Sequence, residues 1–459
     1  MKFAHEFKEA LQRGGFPEHW VESAVPYGQL KKLLKKVQQE LSDLGLDRET
    51  MRQLLTAHRT PSAVGPIAMA KYHLDPNDSR LLRPRLTVYV HLKDGVAVDA
   101  SLSPASRDFV KELVSKASLT QDDPSTGTKF VEHDDIVGNE LARLPALSTA
   151  ADPSLPIREQ PLQRIEVPLV FDGEFFQILQ NDVASLDALQ REQQESMEAE
   201  ILDLGQEVSE VARPSKFSKS DLSRWREIFE LYVDARIFFS TQELDHGART
   251  SDVAVKQLVW FQSEVQRRGL LSKFKLPASK STYQHFLALN ATLLRSLEFQ
   301  EINKRAVAKI LKKFDKRTSL GVSKDFRSVV RSDSFMSDTI AKNICARMVT
   351  EVVSVVPKID DYLCPICFSI AWLPVRLVCH HVFCIRCIIK MQRERKRFCP
   401  LCRANVVMEA DITNLDENLI KFLERWFRKE TKEKQKANEI ERGKELFGDS
   451  YQHTSCSMM

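Results

Sequence analysis

The 459-residue sequence has no uninterrupted apolar stretch approaching the ~18 residues that a membrane-spanning helix needs. Its first residues, Met1-Lys2-Phe3-Ala4-His5, lead into a charged helical pattern without the apolar core of a secretory signal. Charge of one sign is also scarce. Lys and Arg number 67 against 63 Asp and Glu, a net of +4, so no general affinity for polyanions follows and basic patches must be argued locally. Neither an internal repeat nor a sustained coiled-coil heptad series is present. Cysteine is nearly absent outside one segment: of nine, only Cys345 and Cys456 lie beyond residues 364–402. That usage argues against a disulfide framework and for a reducing compartment. The expectation is a soluble protein of two or three domains, cytoplasmic, with the nucleus also open to it.

What is present in that one segment is ordered. It reads Cys364-x2-Cys367-x11-Cys379-x-His381-x2-Cys384-x2-Cys387-x11-Cys399-x2-Cys402. Zinc takes four soft ligands in a tetrahedron, and a Cys-x2-Cys turn delivers two thiolates to one ion. A lone pair of this kind is equally explained by redox chemistry or chance. Eight ligands at these spacings are accounted for by two zinc ions.

The order of three Cys, one His and four Cys resembles the RING finger, a small α+β module in which the ligand pairs interleave. The resemblance implies one zinc on Cys364, Cys367, Cys384 and Cys387, and a second on Cys379, His381, Cys399 and Cys402. It makes His381 rather than His380 the ligand. RING proteins hold a ubiquitin-conjugating enzyme carrying ubiquitin so that its thioester meets a substrate lysine, with no covalent ubiquitin intermediate of their own. Ile366 and Pro400 match positions that contact the conjugating enzyme, and Met391 stands where many RINGs have Trp. Arg403 matches the basic linchpin that hydrogen-bonds ubiquitin and conjugating enzyme together. Arg suits that task because its planar fork donates to two partners. The competing explanations are packing around the zinc knuckles for the first three and an ordinary surface side chain for Arg403.

Residues 1–56 read as helices. Leu30, Leu33, Leu34, Val37 and Leu41 form one apolar stripe, flanked by Lys31, Lys32, Lys35 and Lys36. Between about residues 57 and 165 ten prolines interrupt the pattern, and a long, partly disordered insertion is expected. Within it, Leu86, Val88, Val90 and Leu92 alternate up to Asp94-Gly95, with Val96, Val98 and Ala100 beyond, which predicts a β-hairpin. Helices are predicted at about 174–211, 219–243, 251–268 and 280–317, the last broken near Asn303 and stopped at Gly321.

The end of that last stretch carries two stripes. Val307, Ile310, Leu311 and Phe314 form the buried one, and Lys309, Lys312, Lys313 and Lys316 recur at i, i+3, i+4, i+7 on another face. From periodicity alone a solvated basic face is the better explanation. Here, however, the chain resembles the SPX domain. Met1-Lys2-Phe3, Trp20 and Tyr27-Gly28-Gln29-Leu30-Lys31-Lys32 match its N-terminal hairpin, and Lys309-Ile310-Leu311-Lys312-Lys313-Phe314-Asp315-Lys316 matches its basic helix. SPX domains are helical modules that bind inositol polyphosphates and especially pyrophosphates. The resemblance implies Lys2, Tyr27, Lys31, Lys309, Lys312, Lys313 and Lys316 as phosphate ligands, with the inositol polyphosphate or pyrophosphate as a regulatory ligand.

A further helical segment is predicted at 335–357, with Cys345 as a small core residue. Arg393, Arg395, Lys396 and Arg397 are expected as a solvated loop. After the RING, Leu419, Phe422, Leu423, Trp426 and Phe427 predict an apolar-faced helix that packs on the RING or pairs two of them, so a homodimer stays open. Residues from Arg428 to about Lys444 are expected as a frayed helix or tail. The expected fold is thus a mainly α SPX-type bundle (1–325, insertion 57–165), a helical linker (326–360), a cross-braced two-zinc RING (361–407) and a C-terminal helix with a charged tail (408–459).

An SPX domain ahead of a RING is similar to the fungal SPX–RING proteins and the plant nitrogen-limitation-adaptation ligases. That implies a RING-type ubiquitin ligase sensing phosphate status, with a protein substrate that the family would make membrane-associated. The alternative is a non-catalytic SPX adaptor whose zinc domain mediates protein–protein contact. A nucleic-acid role for the Arg393–Arg397 run is not expected, because no reading helix or aromatic platform accompanies it.

Overall fold

The computed structural model describes residues 2–56, 68–76, 82–93, 96–97, 99, 102, 104–119, 163–214, 220–242, 245–323, 326 and 339–448. The expected disorder at residues 57–67 and 120–162 lies outside the described residues. The chain folds as two compact units, one from Met1–Glu195 and Leu294–Ile340, the other from Ser196–Leu293 and Ala341–Met459. Helix dominates, as expected, with a small two-stranded zinc-type finger near the C-terminus. No described helix is long and apolar enough to cross a membrane.

The first unit begins with α1 (Lys2–Arg13), α2 (Glu18–Glu22), α3 (Tyr27–Asp43) and α4 (Arg48–Thr56). The leucine stripe of α3 is buried throughout, in one core with Ile310, Leu311 and Phe314. Trp20 packs against Phe299 at 5.5 Å, and Phe175 and Phe176 lie 4.9 and 5.2 Å from Phe314. Glu40 accepts the backbone N–H groups of Val170 and Phe171 at 2.8 and 3.2 Å, where the 42-residue helix α6 (Phe171–Ala212) begins. These donors have no partner within the helix, so a carboxylate from α3 supplies one.

The region expected as an insertion contributes a three-stranded antiparallel sheet: β1 (Met69–Pro76), β2 (Leu82–Val90) and β5 (Gln163–Val167), with β2 in the centre. Tyr72 lies opposite Leu86 and Leu86 opposite Val167; Ala70, Val88 and Ile165 form the next row, and all six are buried. The predicted hairpin therefore needs correction. Leu86–Val90 pairs with β1 and β5, and only β3 (Leu92–Lys93) and β4 (Val96–Ala97) meet across Asp94-Gly95. The helix α5 (Pro104–Leu119) follows, and its Ser106 hydroxyl donates to the Gly45 carbonyl at 2.6 Å. Gly45 sits at φ +70°, and a Cβ there would press on the Ala105–Ser106 backbone.

In the second unit, α7 (Leu222–Ala235) and α8 (Ser251–Arg267) pack with the first half of α9 (Pro277–Thr318) through Phe229, Tyr232, Phe261 and Phe286. The Tyr232 hydroxyl donates to Asn290 at 2.9 Å. The helix predicted at 219–243 ends at Ala235, where Arg236 turns to φ 46°, and β6 (Phe239–Gln242) pairs with β7 (Asp245–Ala248) instead. α9 is continuous through Asn303. That side chain does not break the helix: it is buried, donating to the Phe299 carbonyl at 2.9 Å and accepting from the Val25 N–H at 3.0 Å. The helix stops at Thr318, with Ser319 and Gly321 both at positive φ.

α10 (Thr339–Met348) runs into a π-helical turn, Val349–Val353, against α6. A Cβ on Gly205 of α6 would fall inside the Glu351 carbonyl oxygen, so this approach requires glycine. Next come β8 (Pro374–Arg376), β9 (Val382–Cys384) and α11 (Ile385–Arg393), then α12 (Glu417–Trp426) and α13 (Arg428–Phe447). Leu423 and Phe427 are buried with Ile370, against Ile359 and Tyr362, so the apolar helix closes on the segments flanking the finger. The Arg226 guanidinium of α7 lies 4.1 Å from the Phe427 ring centroid and donates to the carbonyls of Pro357 and Trp426 at 3.0 and 2.8 Å. The segment expected as a frayed helix or tail is a helix held by ion pairs. Its Glu441 and Glu445 pair with Arg386, Lys390 and Arg393 of α11, Arg386 reaching them at 2.8 and 2.5 Å.

Candidate functional site

Two Cys-x2-Cys knuckles share one backbone design. Cys364 accepts from the Phe368 N–H and Cys399 from the Arg403 N–H, each at 2.8 Å. Phe368 and Arg403 sit at φ 52° and 61°, in the left-handed region that non-glycine residues seldom adopt. Each turn is closed below by a return bond, from Cys364 N–H to Ser369 and from Cys399 N–H to Ala404, both 2.8 Å. These turns aim the paired thiols at one point.

The eight donors gather as two groups of four: Cys364, Cys367, Cys384 and Cys387, and Cys379, His381, Cys399 and Cys402. Within each group the ligand atoms lie within 4.8 Å of one another. The pairs interleave along the chain as the RING resemblance implies. Tetrahedral zinc, with Zn–S of ~2.3 Å and Zn–N of ~2.0 Å, sets ligand edges of roughly 3.5–3.8 Å. Cys367 Sγ lies 3.7 Å from Cys384 Sγ, and His381 Nδ1 lies 3.4 and 3.7 Å from the sulfurs of Cys379 and Cys399. These separations match the edges of such a tetrahedron. Thiols this crowded oppose ionising together. Hydrogen bonds from Cys384 and Cys387 hold the Cys364 thiol far below its usual range, and the same contacts push those two up. A divalent cation removes that opposition, so both groups fit a zinc ion each. His380 is not a ligand; it turns the chain at φ 65° with its N–H on the Leu377 carbonyl.

Around the knuckles the apolar surface is exposed. Ile366 is 36% exposed, Phe368 79% and Leu401 53%, and Pro400 is exposed beside it. Arg403 is exposed and has no ion-pair partner among the described residues. Met391 departs from expectation. It is 8% exposed, in the finger's core with Phe383, Ile388 and Val407, so it packs and is not displayed to a partner. Phe368 and Leu401, like Val378 and Phe398, are exposed apolar positions that motif matching passes over; each flanks a ligand cysteine.

The second candidate site lies in the first unit, at the C-terminal end of α9. Phe3 packs edge-on to Tyr27 at 5.0 Å, and the Lys309 ammonium lies 5.5 Å from the same Phe3 ring. Burial lowers the pKa of Lys313, with the charges of Lys31 and Arg317 adding to it. The structure thus brings α3 and the lysine stripe together, although almost three hundred residues separate them. Lys309, Lys312 and Lys316 are exposed, Lys31 and Lys313 half-buried. Tyr27 is buried, and burial raises its phenol pKa. The Lys2 side chain lies outside the described residues. Nearby, Gln38, Arg48, Lys313, Lys316 and Arg317 line a cavity of about 410 Å³. Arg317 stands one turn beyond Lys313 and was legible from spacing; Gln38 and Arg48 carried no signal.

Comparison with known proteins follows the same division. Residues 1–330 match the SPX domain, and residues 364–402 match the C3HC4-type zinc finger, the RING finger. An uncharacterized RING finger protein of Schizosaccharomyces pombe is 35% identical over 458 residues, 96% of each chain. The transcriptional regulator of yeast form adherence 3 of Candida albicans is 32% identical over 507 residues, with 100% of both chains covered. The human E3 ubiquitin-protein ligase RNF138 is 48% identical over 48 residues, 10% of this chain and 20% of its own. No solved structure matches. With the helical unit, the interleaved ligand groups and these matches agreeing, the chain belongs to the family of SPX-domain proteins that carry a C-terminal RING finger.

Proposed function

We propose that the protein is a RING-type E3 ubiquitin transferase whose SPX domain binds an inositol polyphosphate or pyrophosphate and so links ubiquitination to phosphate status. One observation carries the ligase half: two interleaved four-ligand groups hold two knuckles that expose Ile366, Phe368, Pro400 and Leu401, with Arg403 next to them. That surface suits a conjugating enzyme, and the E3 ligase named among the relatives matches over this stretch.

The reaction is acyl transfer from the conjugating enzyme's thioester to a lysine amine of the client. The cysteines of the finger serve as metal ligands, so no acyl group rests on this chain. Its contribution is position. Ile366 and Pro400 hold the conjugating enzyme, and Arg403 donates to ubiquitin and enzyme together, favouring the closed arrangement in which the thioester is attacked. The sensor half rests on the convergence of Tyr27 and Lys31 with Lys309, Lys312, Lys313 and Lys316, whose repulsion a phosphate cluster removes.

The test is single-turnover discharge of ubiquitin from a panel of charged conjugating enzymes onto free lysine. Full-length protein should accelerate discharge with at least one enzyme, and Ile366→Ala should weaken that enzyme's binding. Zinc-loaded protein that accelerates none of them would replace this reading with the non-catalytic adaptor.

A further inference from the structure

The cavity at the end of α9 has a composition of its own. Four of its five lining side chains, Arg48, Lys313, Lys316 and Arg317, are cationic, the fifth is the amide of Gln38, and none is a carboxylate. The acids nearest in sequence are engaged elsewhere. Asp43 accepts from Gln39 at 2.8 Å, Asp47 from the Thr50 N–H at 2.9 Å, and Glu49 pairs with Arg52 at 2.7 Å. Asp315, on the lysine helix itself, accepts the N–H groups of Val322 and Ser323 at 2.7 and 3.0 Å. Among the described residues, no carboxylate pairs with any of the four cations. The backbone holds the group in place, because the Ser319 hydroxyl donates to the Arg48 carbonyl at 3.2 Å and ties α4 to the end of α9. Lys313 lines the cavity and also lies close enough to Lys31 of α3 and to Arg317 for both charges to oppose its own.

We infer that Arg48 and Arg317, with Gln38, form a second phosphate subsite that takes additional phosphates of the same ligand bound by Lys31 and the lysine stripe. This rests on the polyphosphate reading above and extends it to residues outside the lysine pattern. Small-molecule sites measure roughly 300–1,000 Å³, so this cavity admits part of a small ligand. Guanidinium forks bind phosphate in a fixed bidentate geometry that ammonium groups lack. No aromatic side chain lines the cavity, so it offers no aromatic platform to a nucleobase. The fitting ligand is a dense cluster of phosphates on a small polyol, free in solution or as a lipid headgroup; the proposal is the free form.

Calorimetric titration of the full chain with myo-inositol hexakisphosphate, ATP, and vesicles carrying a phosphatidylinositol bisphosphate tests it. Wild type should bind the hexakisphosphate at least tenfold more tightly than ATP. Arg48→Ala and Arg317→Ala should each lower that affinity about tenfold, as expected for losing one charge-assisted contact, and Arg48→Lys should fall between. Lys312→Ala, run in parallel, separates the two claims. If Lys312→Ala weakens binding while both arginine variants bind as wild type, the subsite is overturned and the sensor reading stands. If wild type binds no soluble polyphosphate, or binds only the vesicles, both are overturned. The arginines are exposed or half-exposed, so unchanged melting temperatures should confirm that each variant folds.

Discussion

Arg403 does two things that substitution separates. Its backbone N–H closes the last knuckle on the Cys399 carbonyl, and its side chain projects without an ion-pair partner among the described residues. Arg403→Ala keeps the N–H and loses only the guanidinium. Zinc content and conjugating-enzyme binding should persist while discharge at saturating RING slows about tenfold or more, the pattern of an interaction made in the reactive geometry. An unchanged rate would discard the linchpin role. Asp172 offers a different residue-scale test. It accepts from the Tyr72 hydroxyl at 2.9 Å, and burial pushes its carboxyl up to about 6 from an ordinary 3.8. A raised acid pKa favours the protonated form in the folded state. Its contribution is therefore fully present below about pH 4 and lost as pH rises through about 6. At about 1.4 kcal/mol per unit, the loss amounts to about 3 kcal/mol. Asp172→Asn keeps an acceptor for Tyr72 and removes the charge. The variant should melt higher than wild type at pH 7.5 and differ little at pH 4, and equal melting profiles across that range would refute the buried-charge account.

At the scale of elements, α7 and α13 show what local pattern does not reveal. α7 lies within the stretch matched by the SPX domain, yet its Arg226 grips Pro357, Trp426 and Phe427, which flank the RING. Burial lowers the guanidinium's pKa while the charge of Glu430 raises it. Arg226→Ala leaves two carbonyls without that donor and uncovers the Phe427 ring, a cost of about 2–4 kcal/mol. Amide exchange in α12 should rise sharply with both zinc ions retained; unaltered exchange would show that the contact holds nothing. The sequence announced α12 through its apolar period, and it announced the zinc ligands through spacing. It left α13 open between a frayed helix and a tail. A run of mixed charges looks solvated until Arg386 and Lys390, more than fifty residues earlier, are placed beside Glu441 and Glu445. The sheet was misread for the same reason. Alternation at Leu86–Val90 identified a strand, but one partner, Gln163–Val167, is more than seventy residues away, and the other, Met69–Pro76, precedes the strand across residues 77–81 instead of following it across Asp94-Gly95. Asn303 misled in the opposite direction: a polar residue in a helical run looked like a break, and tertiary contact with Val25 made it a core residue.

For the whole molecule, the candidate metal and anion sites lie in different units. Structural zinc contributes on the order of 10–16 kcal/mol of apparent folding free energy in small zinc modules. Metal analysis should return two zinc ions per chain, and chelation should abolish discharge while polyphosphate binding by the first unit survives. One ion per chain would contradict the interleaved ligand groups. The lysine stripe of the candidate anion site was legible from helical spacing, and its grouping with Tyr27 and Lys31 from the SPX resemblance; the place of Arg48 beside it is a property of the fold. α9 carries the stripe near its end and also supplies Phe286 and Asn290 to the second unit's core. A ligand shifts activity only through unequal affinity for two states, a coupling of about 1–3 kcal/mol, or roughly 5- to 150-fold. The most direct measurement is the ubiquitination rate of a client, or of the chain itself, during titration with an inositol pyrophosphate. Wild type and a Lys312→Ala, Lys313→Ala, Lys316→Ala variant are compared side by side. The account predicts a saturable change in rate for wild type and none for the variant; identical responses, or no response from wild type, would contradict it.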